Sequence, residues 1–155
     1  MIQVKDVVKS FDGNVVLNHV SATFEDGKVN MIIGQSGSGK TVLMKSMIGL
    51  HQIDGGEIVF DTRAGQQNLA GMTEKEVRML HREVGMLFQG AALFDSMTVQ
   101  ENVMYPLEMF SDMTDEEKVE RARFCLERVN MPERAFGLMP SEISGGMQKR
   151  VAIAR

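Results

Sequence analysis

Apolar and polar positions change their spacing along this chain of 155 residues. Ile2 to Val8 alternate as a half-buried strand does, Phe11-Asp12-Gly13-Asn14 is turn chemistry, and Val15 to Phe24 again reads as extended up to the Glu25-Asp26-Gly27 turn. The apolar run Val29 to Ile33 predicts a buried strand, and Thr41 to Ile48 predicts a helix. Asp54-Gly55-Gly56 turns the chain into a further short strand, Glu57 to Phe60, and the polar stretch Asp61 to Gly71 reads as a loop. Val84 to Phe88 predicts a second buried strand, ending at Gln89. Three helix starts carry a Thr-x-x-Glu capping pattern: Thr73 with Glu76, Thr98 with Glu101, and Thr114 with Glu117. In Glu116 to Val129 the apolar residues Val119, Ala122, Phe124, Cys125, Leu126 and Val129 are predicted to fall largely on one face, with charges opposite.

Composition narrows the class without choosing a function. An apolar content of 43% and this length suit one globular domain with a real core. Seventeen basic against twenty-one acidic residues give a net charge of -4, which offers no bulk electrostatic attraction for nucleic acid. The single cysteine, Cys125, has no internal disulfide partner, and Met1 to Asp6 lack the shape of a secretory signal, so the cytosol is the expected compartment. No apolar run approaches the length of a spanning helix, and any link to a membrane is expected to pass through another protein. The fourteen methionines read as adaptable core filler.

The chemistry enters at Gly34-Gln35-Ser36-Gly37-Ser38-Gly39-Lys40-Thr41, which satisfies G-x-x-x-x-G-K-[ST], the phosphate loop of nucleotide triphosphatases. A predicted strand precedes it and a predicted helix follows, the context that such a loop requires. Glycines let the backbone curl until successive NH groups point at phosphate oxygens, and the helix N-terminus adds the positive end of its dipole. Lys40 is expected to reach the β- and γ-phosphates, and Thr41 to offer its hydroxyl to Mg²⁺.

A second feature separates the many users of phosphate loops. Ile143-Ser144-Gly145-Gly146-Met147-Gln148 and the basic helix after it resemble the L-S-G-G-Q signature of ATP-binding cassette (ABC) ATPases. Ile143 and Met147 depart from that pattern, yet the Ser144-Gly145-Gly146 nest of NH groups is intact, and it lies about a hundred residues after Lys40. The resemblance implies an α/β P-loop NTPase (ABC ATPase) core with an N-terminal antiparallel β subdomain and a helical subdomain. Residues 1–90 would hold the antiparallel sheet and nucleotide core, and residues 91–155 the helical subdomain with the signature. It implies that Phe11 stacks on adenine and that Gln89, in the Q-loop position, contacts Mg²⁺ and the attacking water. It also implies a head-to-tail pair of copies, each ATP lying between one copy's phosphate loop and the other's signature. The segment Phe88 to Leu107 looks like the Mla/Mce-type ATPases of bacterial lipid transport. Leu93 and Phe94 beside Gln89 would then form a socket for a short helix of an integral-membrane permease, or simply bury against the helical subdomain.

The family continues past its signature with a Walker B aspartate, a catalytic glutamate, a D-loop and a switch histidine, and the chain stops at Arg155. Asp115-Glu116-Glu117 reads as a capped, solvated helix start, and His19, His51 and His81 all precede the signature. The expectation is therefore the N-terminal part of a longer transport ATPase, peripheral on the cytoplasmic membrane. These 155 residues alone are expected to turn ATP over poorly and to be marginally stable, because the Walker B strand would flank the phosphate-loop strand. The competing readings are a non-hydrolysing nucleotide-binding module, a soluble non-transport ABC ATPase, and a small-molecule P-loop kinase.

Overall fold

The computed structural model describes residues 1–62 and 65–155. They form two compact units, Met1–Gly85 and Met86–Arg155, each with its own core.

The first unit is built on one antiparallel sheet. Strand β1 (Ile2–Phe11) and strand β2 (Asn14–Phe24) form a hairpin closed by Asp12 and Gly13, whose φ angles of 48° and 81° suit the tight turn that right-twisted strands favour. Helix α1 (Lys40–Met47) comes next, then strands β3 (Gly55–Thr62) and β4 (Gly65–Asn68), a short 3-10 turn, and helix α2 (Glu74–Glu83). The spatial order is β2-β1-β3-β4, with Ile2 opposite Phe24 on one side of β1 and opposite Phe60 on the other. Alternation, broken in β1 by a register shift between Val4 and Val7 at which Asp6 takes φ 53°, places Val4, Val7, Leu17, Ile58 and Phe60 in one core with Leu43 of α1 and Leu80 of α2.

The second unit is helical: α3 (Val99–Phe110), α4 (Asp115–Arg128) and α5 (Gly145–Ala154), with 3-10 turns between the last two. Val99 and Val103, Ala122 and Leu126, and Val151 supply one buried stripe per helix, joined by Met131, Phe136 and Ile143. The three capping boxes expected at Thr73, Thr98 and Thr114 all form. In each, the Thr hydroxyl accepts from the N3 backbone NH and the Glu carboxylate accepts from the Thr NH.

Several expectations fail for identifiable reasons. Val29 to Ile33 is not a strand, and Val29, Met31 and Ile33 are 94%, 77% and 84% exposed. An apolar run becomes a strand only when a neighbour completes its ladder, and among the described residues no strand pairs with this one. Val84 to Phe88 is irregular for the same reason, with Leu87 and Phe88 exposed. The stretch from Asp61 to Gly71 is not a loop: β3 runs to Thr62, and Gln66, Gln67 and Asn68 pair with it as β4 before the 3-10 turn Leu69–Gly71. Arg63 and Ala64 lie outside the described residues. Polar strands are legible only through their partners, since an edge strand need bury little. Phe124 leaves the apolar face of α4 for the surface, where Arg121 lies over its ring. The methionines are core filler only in part: among the described residues Met131 is buried and Met47, Met72, Met104 and Met147 pack half-buried against the two cores, whereas Met31, Met44, Met79, Met109 and Met113 are exposed.

Candidate nucleotide-binding site

The loop from Gly34 to Gly39 leads into the N-terminus of α1, the end of a helix where free NH groups gather. The other four α-helices of the described residues have a Thr or Ser side chain accepting from their first turn. Helix α1 has Gly39 at its N-cap and no side-chain cap, and its first intrahelical bond runs from Leu43 NH to Gly39 C=O. Its leading donors are thus free for an external acceptor, and the dipole makes an anion the favoured one.

Glycine is strongly favoured at the hinge between loop and helix. Gly39 has φ +88°, and a Cβ there would lie 3.0 Å from Val16 C=O and 3.1 Å from Leu17 Cδ2 on β2. The bare backbone therefore seats the helix start directly against the hairpin. Lys40 folds back over the loop, its Nζ donating to Gly34 C=O at 2.8 Å and to Gln35 C=O at 2.5 Å. One positive charge is thereby held on the Gly34 and Gln35 carbonyls, and Ser36, Gly37 and Ser38 of the same loop are exposed. Thr41, the second helical residue, is exposed and presents a hydroxyl beside the same helix end. Uncapped NH groups, a left-handed glycine at which a Cβ would crowd Val16 and Leu17, and a cation within reach together fit the polyphosphate of a nucleotide, and a hydroxyl oxygen suits Mg²⁺. Phe11 ends β1 at the hairpin turn of this unit and is 38% exposed.

The remaining predicted residues belong to the second unit. Gln89 lies in an exposed turn and not directly behind a strand. Ser144 is the N-cap of α5, its hydroxyl accepting from Met147 NH at 3.3 Å, while Gly145 and Gly146 are exposed with open space where a Cβ would project. The signature thus presents a serine-capped helix start whose first two residues carry no side chains. Leu93 packs against the helical core and Phe94 remains 41% exposed, its ring 4.7 Å from that of Tyr105.

Sequence reasoning passed over the residue that shapes the Gln89 segment. Asn102, fully buried in α3, accepts from Phe94 NH at 2.8 Å and donates to Phe94 C=O at 3.1 Å and to Met97 and Thr98 C=O at 3.0 Å. An asparagine between Glu101 and Val103 in a capped helix was the available signal, since a buried amide needs partners and a nearby loop has them to give. Arg155 adds a second tie, donating from Nη1 to Ala92 C=O at 2.7 Å. Ala91 and Ala92 before Phe94 hold φ of 61° and 51°, strained for alanine and sustained by such ties.

Comparison with known proteins agrees with this geometry. The family profile described as "ABC transporter" matches residues 17–155. The methionine import ATP-binding protein MetN of Rhizobium johnstonii is 36% identical over 155 residues, covering all of this chain and 41% of that protein. The protein TRIGALACTOSYLDIACYLGLYCEROL 3, chloroplastic, of Arabidopsis thaliana is 37% identical over 155 residues, again covering all of this chain and 43% of that protein. The dimeric structure of a post-hydrolysis state of the ATP-binding cassette MJ0796 bound to ADP and Pi superposes with a TM-score of 0.88 at 30% identity, over 99% of this chain and 68% of that one. The chain thus spans less than half the length of these two curated relatives. With an α/β cassette fold, a phosphate loop at a bare helix start and a family match over nearly its whole length, the chain belongs to the ABC transporter family, in its ATP-binding domain.

Proposed function

We propose that this protein is the ATP-binding subunit of an ABC transporter. It binds Mg²⁺ and ATP at Gly34 to Thr41 and couples hydrolysis to the movement of a membrane permease. The observation that carries this is the uncapped, glycine-hinged start of α1 with Lys40 folded over it. Lys40 would exchange its two carbonyl acceptors for phosphate oxygens, a charge-assisted gain. Thr41 would supply one oxygen to Mg²⁺, and Phe11 a face for adenine. Gln89 would contribute to the metal and water, and Ser144 to Gly146 would meet the nucleotide held by a second copy, head to tail. The dimeric form and the ADP and Pi of the similar cassette support that arrangement.

Within this reading, residues 1–90 are the nucleotide-binding part and residues 91–155 the part facing the partner copy and permease. Peripheral attachment to the cytoplasmic membrane through that permease is consistent with the described residues, none of whose helices is long and apolar enough to cross a membrane. For cargo we propose a phospholipid or related lipid. The segment Phe88 to Leu107 supports it, as does a relative whose name is that of a glycolipid. The second reading is import of an amino acid, which MetN's name favours.

Calorimetric titration of ATP into the full chain and into its Lys40→Ala variant tests the site. Retention of wild-type affinity by the variant would overturn it. Deleting the gene and following lipid movement between membranes beside uptake of labelled methionine tests the cargo, and loss of methionine uptake alone would decide for the second reading.

A further inference from the structure

We propose that Lys9, held by Asp54, is a positioning residue for Phe11 that sets how much the nucleobase contributes to binding. The inference rests on the adenine role of Phe11 given above. Lys9 and Phe11 are two apart on β1 and so share a face of the sheet. The Lys9 ammonium lies over the Phe11 ring, 5.2 Å from its centroid, and the His51 ring meets the same ring at 77° with centroids 5.4 Å apart. Such a ring is held on more than one side, yet Phe11 keeps 38% of its surface open.

Lys9 is itself immobilised. Its side chain is 14% exposed and its Nζ donates to Asp54 Oδ1 at 2.8 Å. The other oxygen, Oδ2, accepts from Ser10 NH at 2.6 Å, and Asp54 NH donates to Val8 C=O at 2.8 Å. Asp54 thus binds the strand on both sides of Lys9, and its carboxyl is held below the usual range by the Lys9 hydrogen bond first and the Ser10 NH second.

This pairing decides what Lys9 does for a ligand. Its charge is matched by Asp54, so it is not a spare anchor for phosphate. Its remaining action is on the ring: a cation over an aromatic face fixes the ring by the quadrupole, and a fixed ring loses less entropy when a base stacks on it. Lys9 should therefore affect base-dependent binding and leave phosphate-dependent binding alone.

The test compares dissociation constants for ATP and for inorganic tripolyphosphate, which shares the phosphates and lacks the base, on the full chain. Phe11→Ala should bring the two constants closer together, and Lys9→Met should reproduce roughly half of that change on a logarithmic scale with tripolyphosphate unaffected. Lys9→Arg, which keeps cation and reach, should restore the ratio. If Phe11→Ala leaves the ratio as it was, the adenine reading of Phe11 fails. If Phe11→Ala changes it and Lys9→Met does not, the positioning role fails while the adenine reading stands. Should Lys9→Met not fold, Asp54→Asn leaves the lysine in place without its anchor, and the same ratio decides: an unchanged value overturns the proposal.

Discussion

Asn102 holds both main-chain groups of Phe94, accepting from its NH at 2.8 Å and donating to its C=O at 3.1 Å. One buried amide thereby does for an irregular segment what a neighbouring strand does for a ladder residue. It ties Phe94 and Met97 to α3, while Arg155 holds the carbonyls of Ala91 and Ala92, whose positive φ angles are sustained by such ties.

Replacing Asn102 by alanine should destabilise the helical unit by about 2 kcal/mol, because the part-buried main-chain groups of Phe94, Met97 and Thr98 lose their partner. Urea unfolding followed by circular dichroism reads this. An Asn102→Ala midpoint equal to wild type would mean that the loop satisfies itself.

Two glycines of the phosphate loop should respond differently to alanine. Gly37 has φ +80° with nothing within 4 Å of a Cβ, so Gly37→Ala costs only left-handed strain, about 1 kcal/mol. Gly39→Ala adds a clash with Val16 C=O and Leu17, displaces the start of α1, and should lose ATP affinity at least tenfold beyond Gly37→Ala. Equal affinities in a fluorescent-nucleotide titration would show that the seating of α1 on β2 does not matter to the site.

Ser144 serves its own helix as well as the proposed partner copy. Ser144→Ala removes the hydrogen bond to Met147 NH and should cost about 1 kcal/mol of stability with dimer closure retained. Ser144→Arg shares that cost and adds bulk and charge beside the exposed Gly145 and Gly146. It should leave nucleotide binding to the single copy intact and abolish ATP-dependent dimerisation, measured by analytical ultracentrifugation. Dimers that persist in the arginine variant would remove the signature from the interface.

Acid should weaken the capping boxes. The Thr98 NH, then its hydroxyl, hold the Glu101 carboxyl below its ordinary value, and the same groups of Thr73 do so for Glu76. A carboxylate with a lowered folded-state pKa contributes stability that is complete above the unfolded value, about 4.3, and is lost as pH falls through the lower folded value. Thermal midpoints should therefore hold steady above that pH and decline below it. Glu101→Gln should start lower and decline less, and identical slopes for variant and wild type would contradict the assignment.

Local chemistry was legible in the sequence wherever its partners lie a few residues away. The Asp12-Gly13 turn, the three Thr-Glu boxes and the helix after Lys40 each depend on residues within one turn, and all appear as read, whereas Ser144, read as part of an anion nest, also caps its own helix. The phosphate-loop and signature motifs are likewise made of consecutive residues, which is why the sequence alone could propose them. Tertiary structure alone decided the rest. Whether Val29 to Ile33 and Val84 to Phe88 are strands depends on a ladder partner remote in sequence, and whether Gln66 to Asn68 are depends on β3. That Asn102 grips Phe94, and that Lys9 lies over Phe11 with Asp54 behind it, follows from chain segments meeting in space, which no periodicity within a single segment encodes.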